Sequence, residues 1–172
     1  MGIIYQLPSS LCFDPDTMVK KSNGQLVKVI ELTEGDDIMT LENMEVCPTN
    51  VTNATVIHGS FDALKFVLED GKNITVTPLH LMLILKNGEM SPLQAKDLQI
   101  HDIMPLEGRK LSKIVDIENV KIATKVNIET ASGAFYANGI FVTGMCEKSP
   151  SLEGKNANIL LMEYKSSHML TA

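Results

Sequence analysis

Gly24-Gln25-Leu26…Glu31-Leu32…Asp37-Ile38-Met39-Thr40-Leu41 returns later in the chain as Gly88-Glu89-Met90…Asp97-Leu98…Asp102-Ile103-Met104-Pro105-Leu106, with one residue inserted. A second echo follows each copy. Lys65-Phe66-Val67-Leu68-Glu69, a turn and Ile74-Thr75-Val76 match Lys125-Val126-Asn127-Ile128-Glu129, a turn and Phe135-Tyr136-Ala137. Self-similarity of this kind marks a duplicated unit. Each copy is too small to bury a core singly, so the two are expected to interlock about a pseudo-twofold axis. That arrangement brings the start and the end of the domain close together.

Working outward from the echo, the texture is β throughout. Met18 to Lys21 and Leu26 to Ile30 are short strand-like runs with Ser22-Asn23-Gly24 as the hairpin turn between them. Thr49 to Thr52, Ala54 to His58 and Leu64 to Glu69 read as successive strands, and Asp70-Gly71-Lys72-Asn73 as the tight turn into Ile74 to Thr77. Leu79 to Leu85, bounded by the Asn87-Gly88 turn, reads as a buried strand. Thr124 to Glu129 and Ala134 to Val142 form a late pair. No stretch from Cys12 to Cys146 sustains a 3.6-residue period, so the expected class is all-β, with many short strands.

Bulk properties narrow the function classes. The 172 residues, 44% of them hydrophobic, suffice for one folded domain, and a net charge of −6 leaves no basic footprint for nucleic acid. No apolar run reaches membrane-spanning length. Met1 to Leu11 lacks the cationic start and apolar core of a signal peptide, and nothing else fixes the compartment. Cys12, Cys47 and Cys146 are odd in number and widely spaced, which indicates neither a disulfide framework nor a metal knuckle. No cofactor or metal is expected, and a monomer is.

Two stretches carry candidate chemistry. Ser10-Leu11-Cys12-Phe13-Asp14-Pro15-Asp16-Thr17-Met18-Val19 sets a thiol near the start, and Thr77-Pro78-Leu79-His80 sets an imidazole at the end of a strand-like run. A thiol beside an imidazole is a recognised nucleophile arrangement. The plainer reading is an ordinary buried cysteine and a hydrogen-bonded core histidine.

The order of motifs resembles the Hint superfamily: inteins, bacterial intein-like domains and the autoprocessing domain of Hedgehog proteins. The residues that carry the resemblance are Cys12-Phe13 with Thr17 and Val19, Val29-Ile30-Glu31-Leu32 with Gly35-Asp36, Thr77-Pro78-Leu79-His80 as a T-x-x-H motif, and Phe135-Tyr136-Ala137-Asn138-Gly139-Ile140-Phe141-Val142. The ending Gly144-Met145-Cys146 is more similar to the Hedgehog type than to a splicing intein, which ends in Asn. The resemblance implies a horseshoe-shaped all-β fold over residues 12–146, between an extein-like flank at 1–11 and a tail at 147–172.

It also implies a chemistry: single-turnover, cysteine-dependent autoproteolysis. Cys12 attacks the carbonyl of Leu11 in an N-to-S acyl shift, and the scissile Leu11–Cys12 peptide becomes a thioester. His80 is expected to protonate or contact the departing nitrogen, and Thr77 to hold the scissile amide. His58, near Asp62, falls closest to the position where the Hedgehog family places the aspartate that activates the second nucleophile. Cys146 is expected to accept the acyl group or pair with Cys12. The substrate is then the chain's own upstream polypeptide, and the acceptor is water, a thiol or a sterol-like hydroxyl. Competing readings are a catalytically inactive Hint-fold binding module, a protein-splicing intein, and a cysteine hydrolase acting in trans.

Overall fold

The structure is a computed structural model and describes residues 12–42 and 45–143. Among the described residues twelve strands join in one sheet system, and there is no α-helix. In chain order they are β1 (Cys12–Phe13), β2 (Met18–Lys20), β3 (Leu26–Lys28), β4 (Asp37–Glu42), β5 (Glu45–Leu68), β6 (Asn73–Val76), β7 (Leu81–Lys86), β8 (Glu89–Gln94), β9 (Ile103–Leu106), β10 (Lys110–Thr130), β11 (Ala134–Ala137) and β12 (Ile140–Thr143). Among the described residues no helix is long and apolar enough to cross a membrane.

The duplication is written in hydrogen bonds. β1 and β6 meet antiparallel at Phe13 and Val76. On one side of that pair Asp14 N–H donates to Thr75 O at 3.0 Å, and on the other Thr77 N–H donates to Cys12 O at 3.0 Å. The turns that follow repeat the pattern. Thr17 N–H reaches Asp14 O and His80 N–H reaches Thr77 O, both at 3.1 Å. Val29 N–H then bonds Thr17 O at 2.7 Å, and Ala95 N–H bonds His80 O at 2.8 Å. Each bond opens a 3-10 turn, Val29–Glu31 in one half and Ala95–Asp97 in the other. The pseudo-twofold axis therefore runs through the Phe13–Val76 pair.

These bonds correct the internal alignment by one residue. The sequence echo matched Asp37 with Asp102. The structure matches Asp36 with Asp102, because the Asp36 carboxylate takes the Thr33 N–H at 2.9 Å as the Asp102 carboxylate takes the Gln99 N–H at 2.8 Å. Burial agrees, since Ile38 and Met104, two residues beyond each aspartate, are both fully buried.

The strands expected at Thr49–Thr52, Ala54–His58 and Leu64–Glu69 are one continuous strand of 24 residues, β5. The strand expected from Thr124 is the second half of the 21-residue β10. The two long strands pair antiparallel from Leu68–Ile114 to Val51–Thr130, with three irregularities that let the ladder bend. His58-Gly59-Ser60 read as a break because it is polar and exposed, yet a two-stranded ladder needs no buried face to keep its backbone bonds. The main core is built from Phe13, Phe66, Ile74, Met82, Phe135 and Val142.

One position in the duplicate halves conflicts with its residue. Gly35 has φ +100°, and its twofold mate His101 has φ +80°; each donates its N–H across the sheet at 2.8 Å, to Val51 O and Ile114 O. A side chain at positive φ costs roughly 1–2 kcal/mol, whereas glycine adopts it freely at an entropic cost of about 0.5–1 kcal/mol. An added Cβ at Gly35 meets nothing within 4 Å, so the cost there is conformational. We expect Gly35→Ala to destabilise by about 1–2 kcal/mol and His101→Gly to stabilise by about 0.5–1 kcal/mol. Urea titrations should show opposite midpoint shifts with unchanged slopes.

Candidate functional site

Thr77 grips both sides of Cys12. Its hydroxyl accepts the Cys12 N–H at 3.1 Å and lies 3.3 Å from Cys12 O, to which its own backbone N–H donates at 3.0 Å. Thr77, Cys12 and His80 are all buried. The proline at Pro78 helps here: it ends the strand and starts the turn that brings His80 back under β1. The His80 ring packs edge-on against Phe13, with centroids 4.5 Å apart, and Phe13 packs in turn on Phe135.

The protonation of His80 follows from its partners. Nε2 lies 3.1 Å from the carbonyl oxygen of Thr143. A carbonyl only accepts, so Nε2 carries the hydrogen. Burial lowers the ring's pKa from the ordinary 6.5 to about 4, opposed by backbone hydrogen bonding to Thr143 and Cys12. The ring is thus neutral at pH 7, and Nδ1 is the bare nitrogen. Nδ1 is buried and makes no well-formed hydrogen bond among the described residues; the Cys12 backbone is only near enough to favour the cation. A neutral imidazole with an open lone pair is a base before it is an acid.

A residue not singled out in the sequence joins these. Asn127 on β10 stands directly opposite Cys12 in the β1–β10 register and is buried. Opposed residues of an antiparallel pair project to the same face, so its amide shares a face with the thiol. Its Nδ2 donates to Glu129 at 3.4 Å. Lys125, two residues back on that face, is also buried, with its ammonium 4.1 Å from the centre of the Phe61 ring. The available signal was a polar alternation, Lys125-Val126-Asn127-Ile128-Glu129, in a strand whose other face is apolar.

The fold has relatives among solved structures. A substituted gp41-1 intein matches at TM-score 0.65 and 24% identity, over 77% of this chain and 98% of that one. A DnaB intein from Synechocystis sp. PCC 6803 matches at 0.68 and 16%, over 77% and 96%. A bacterial intein-like domain from Clostridium thermocellum matches at 0.66 and 19%, over 77% and 98%. This is a Hint fold.

No family model matches the chain. In sequence it is similar to the ATP-dependent DNA helicase Hel308 of Methanocaldococcus jannaschii, 26% identical over 146 residues, 81% of this chain and 11% of the helicase. It is also similar to the DNA-directed RNA polymerase III subunit rpc2 of Dictyostelium discoideum, 34% identical over 96 residues, 53% of this chain and 6% of the subunit. The chain thus spans about a tenth or less of the curated relatives it matches.

Within this Hint fold, Cys12, Thr77 and His80 converge and His58 stands apart. His58 is exposed on β5, opposite Thr124, whose hydroxyl is 3.0 Å from its Nδ1. Asp62 is further along the same exposed ladder, ion-paired to Lys121. Leu11 and Cys146, with the flank at 1–11 and the tail at 147–172, lie outside the described residues.

A buried neutral histidine has a pH signature. Between pH 6.5 and about 4 the unfolded chain binds a proton at this position and the folded chain does not, so stability falls as pH falls through that window. The cost approaches roughly 3 kcal/mol by pH 4, and no charged side chain contributes to the shift. Urea midpoints measured from pH 7 to 4 should show this loss, and His80→Gln should lack that increment.

Proposed function

We propose that this Hint domain is autoproteolytic and acts on its own Leu11–Cys12 bond by an N-to-S acyl shift. The observation that carries the reading is the Thr77 hydroxyl on Cys12 N–H, because that nitrogen is the leaving group of such a shift. The bare Nδ1 of His80 supports it from the same turn. His80 Nδ1 takes the Cys12 thiol proton as sulfur adds to the Leu11 carbonyl carbon. The tetrahedral adduct then collapses: the C–N bond breaks, and the same proton passes from Nδ1 to the Cys12 nitrogen. A thioester and an amine replace the thiol and the amide, with no net proton change. We assign the oxyanion donor to the Asn127 amide, a contribution of about 3 kcal/mol for one well-placed donor. Water, a thiol or a hydroxyl-bearing acceptor then resolves the thioester.

The relatives add a contextual argument. A helicase and a polymerase subunit, proteins with different names and work, each match this chain over a segment that is a small part of their own length. A module that removes or rearranges its own flanks can sit in unrelated hosts. Splicing is the second reading, favoured by the Thr143 carbonyl bonding the same histidine, since both domain ends then meet at one turn. Thr143-Gly144-Met145-Cys146 places no Asn at the junction to cyclise, so N-terminal cleavage is preferred. His58 remains a candidate for activating the acceptor, and Cys146 for accepting the acyl group, in the second step.

The test is mass spectrometry of the full chain incubated with dithiothreitol. We expect thiol-dependent loss of the segment ending at Leu11, abolished in Cys12→Ala and slowed about 100-fold in Asn127→Ala. Thr77→Val should slow it about tenfold or more, through the loss of one hydrogen bond to the leaving nitrogen. A ligated product joining upstream and downstream segments indicates splicing instead. An unchanged mass over days in a folded sample leaves the inactive module.

A further inference from the structure

We propose that Thr143 is a positioning residue that selects the tautomer of His80 and so decides whether the ring nitrogen facing Cys12 is bare or protonated. This rests on the acyl-shift reading, but the state of the ring can be read without any turnover.

Thr143 closes β12, far in sequence from Cys12, and is buried. It makes two bonds to consecutive residues of the turn-and-strand that carries His80. Its carbonyl accepts from His80 Nε2 at 3.1 Å, and its hydroxyl donates to Leu81 O at 2.6 Å. The second bond fixes the strand end, and with it the direction of the carbonyl. Were Nδ1 protonated instead, the Nε2 lone pair would face the carbonyl oxygen at hydrogen-bond distance in a buried site. Two acceptors there repel each other with no water to separate them. The Thr143 carbonyl thus selects against one of the two neutral tautomers, since the Cys12 backbone, though near the ring, forms no comparable hydrogen bond with Nδ1.

The disfavoured tautomer is the wrong one for the first step. With its hydrogen on Nδ1, the ring would direct a donor at the Cys12 backbone and could not take the thiol proton there. A threonine also suits the position better than a residue without a hydroxyl. Thr143 uses its side chain to clamp the strand and its main chain to orient the ring, so the two tasks stay separate. Sequence could not show this, because it takes a backbone atom at one end of the domain and a side chain 63 residues earlier.

The experiment uses full-length, nitrogen-15-labelled protein carrying Cys12→Ala, so that no bond is cut during acquisition. Long-range proton–nitrogen spectra at pH 7 should show His80 as a single neutral tautomer protonated on Nε2. Adding Thr143→Val should mix the tautomers, and Thr143→Ser should restore the single form. In chains that retain Cys12, thiol-induced cleavage should slow about tenfold in Thr143→Val and recover in Thr143→Ser. An Nδ1-protonated ring in the reference protein overturns the proposal outright. So does a folded Thr143→Val protein with an unchanged tautomer and an unchanged rate. Should Thr143→Val not fold, the reference spectrum and the serine variant still decide. Absence of cleavage in every chain removes the acyl-shift reading and leaves the tautomer assignment to stand or fall on the spectra.

Discussion

The short antiparallel contact between β1 and β6 is the constraint on which the rest hangs. It joins the two halves at Phe13 and Val76, so the axis of the duplication passes beside Cys12. The same contact builds the core, because Phe13 reaches Phe135 on one side and the His80 ring on the other. It also builds the site, because the main-chain bond from Thr77 to Cys12 O has a side-chain companion to Cys12 N–H. Architecture and chemistry share these bonds. A substitution that loosens the contact is therefore felt in folding and in the geometry about the thiol together.

Twofold symmetry also explains what the two turns have in common and where they part. Asp14-Pro15-Asp16-Thr17 and Thr77-Pro78-Leu79-His80 occupy equivalent places and make equivalent main-chain bonds. In the first, the buried Thr17 hydroxyl satisfies itself locally on Asp14 O at 2.8 Å. In the second, the imbalance is conspicuous: a fully buried imidazole with one nitrogen bonded and the other open. Burying a polar atom without a partner costs on the order of 1–3 kcal/mol. The duplicate turn shows that the backbone alone does not demand this cost.

Much of this was legible in the residues. The all-β class followed from the absence of helical periodicity, and the duplication from Gly24–Leu41 and Gly88–Leu106. The spatial meeting of Cys12 with Thr77 and His80 was implied by the Hint resemblance that the order of motifs carries. Other features had no local signature. The continuity of β5 and β10 was hidden because their middles are exposed, so hydrophobic alternation lapses where the backbone ladder persists. The single-residue slip at Asp36 was hidden because Asp36 and Asp37 are adjacent and chemically identical, and only the capping bond to Thr33 tells them apart. Asn127 and Thr143 reach Cys12 and His80 through register and through a main-chain carbonyl, neither of which a residue type announces.

The Cys12 sulfur belongs to a residue with no exposed surface, and that has a consequence for the order of events. An internal rearrangement needs no access from solvent, since both reacting groups arrive with the chain. An external acceptor does need access. For an acyl group held on that sulfur, the waiting time would be governed by how often the strand carrying it breathes away from its neighbours. Local opening, rather than the strength of the incoming nucleophile, would then act as the clock for release.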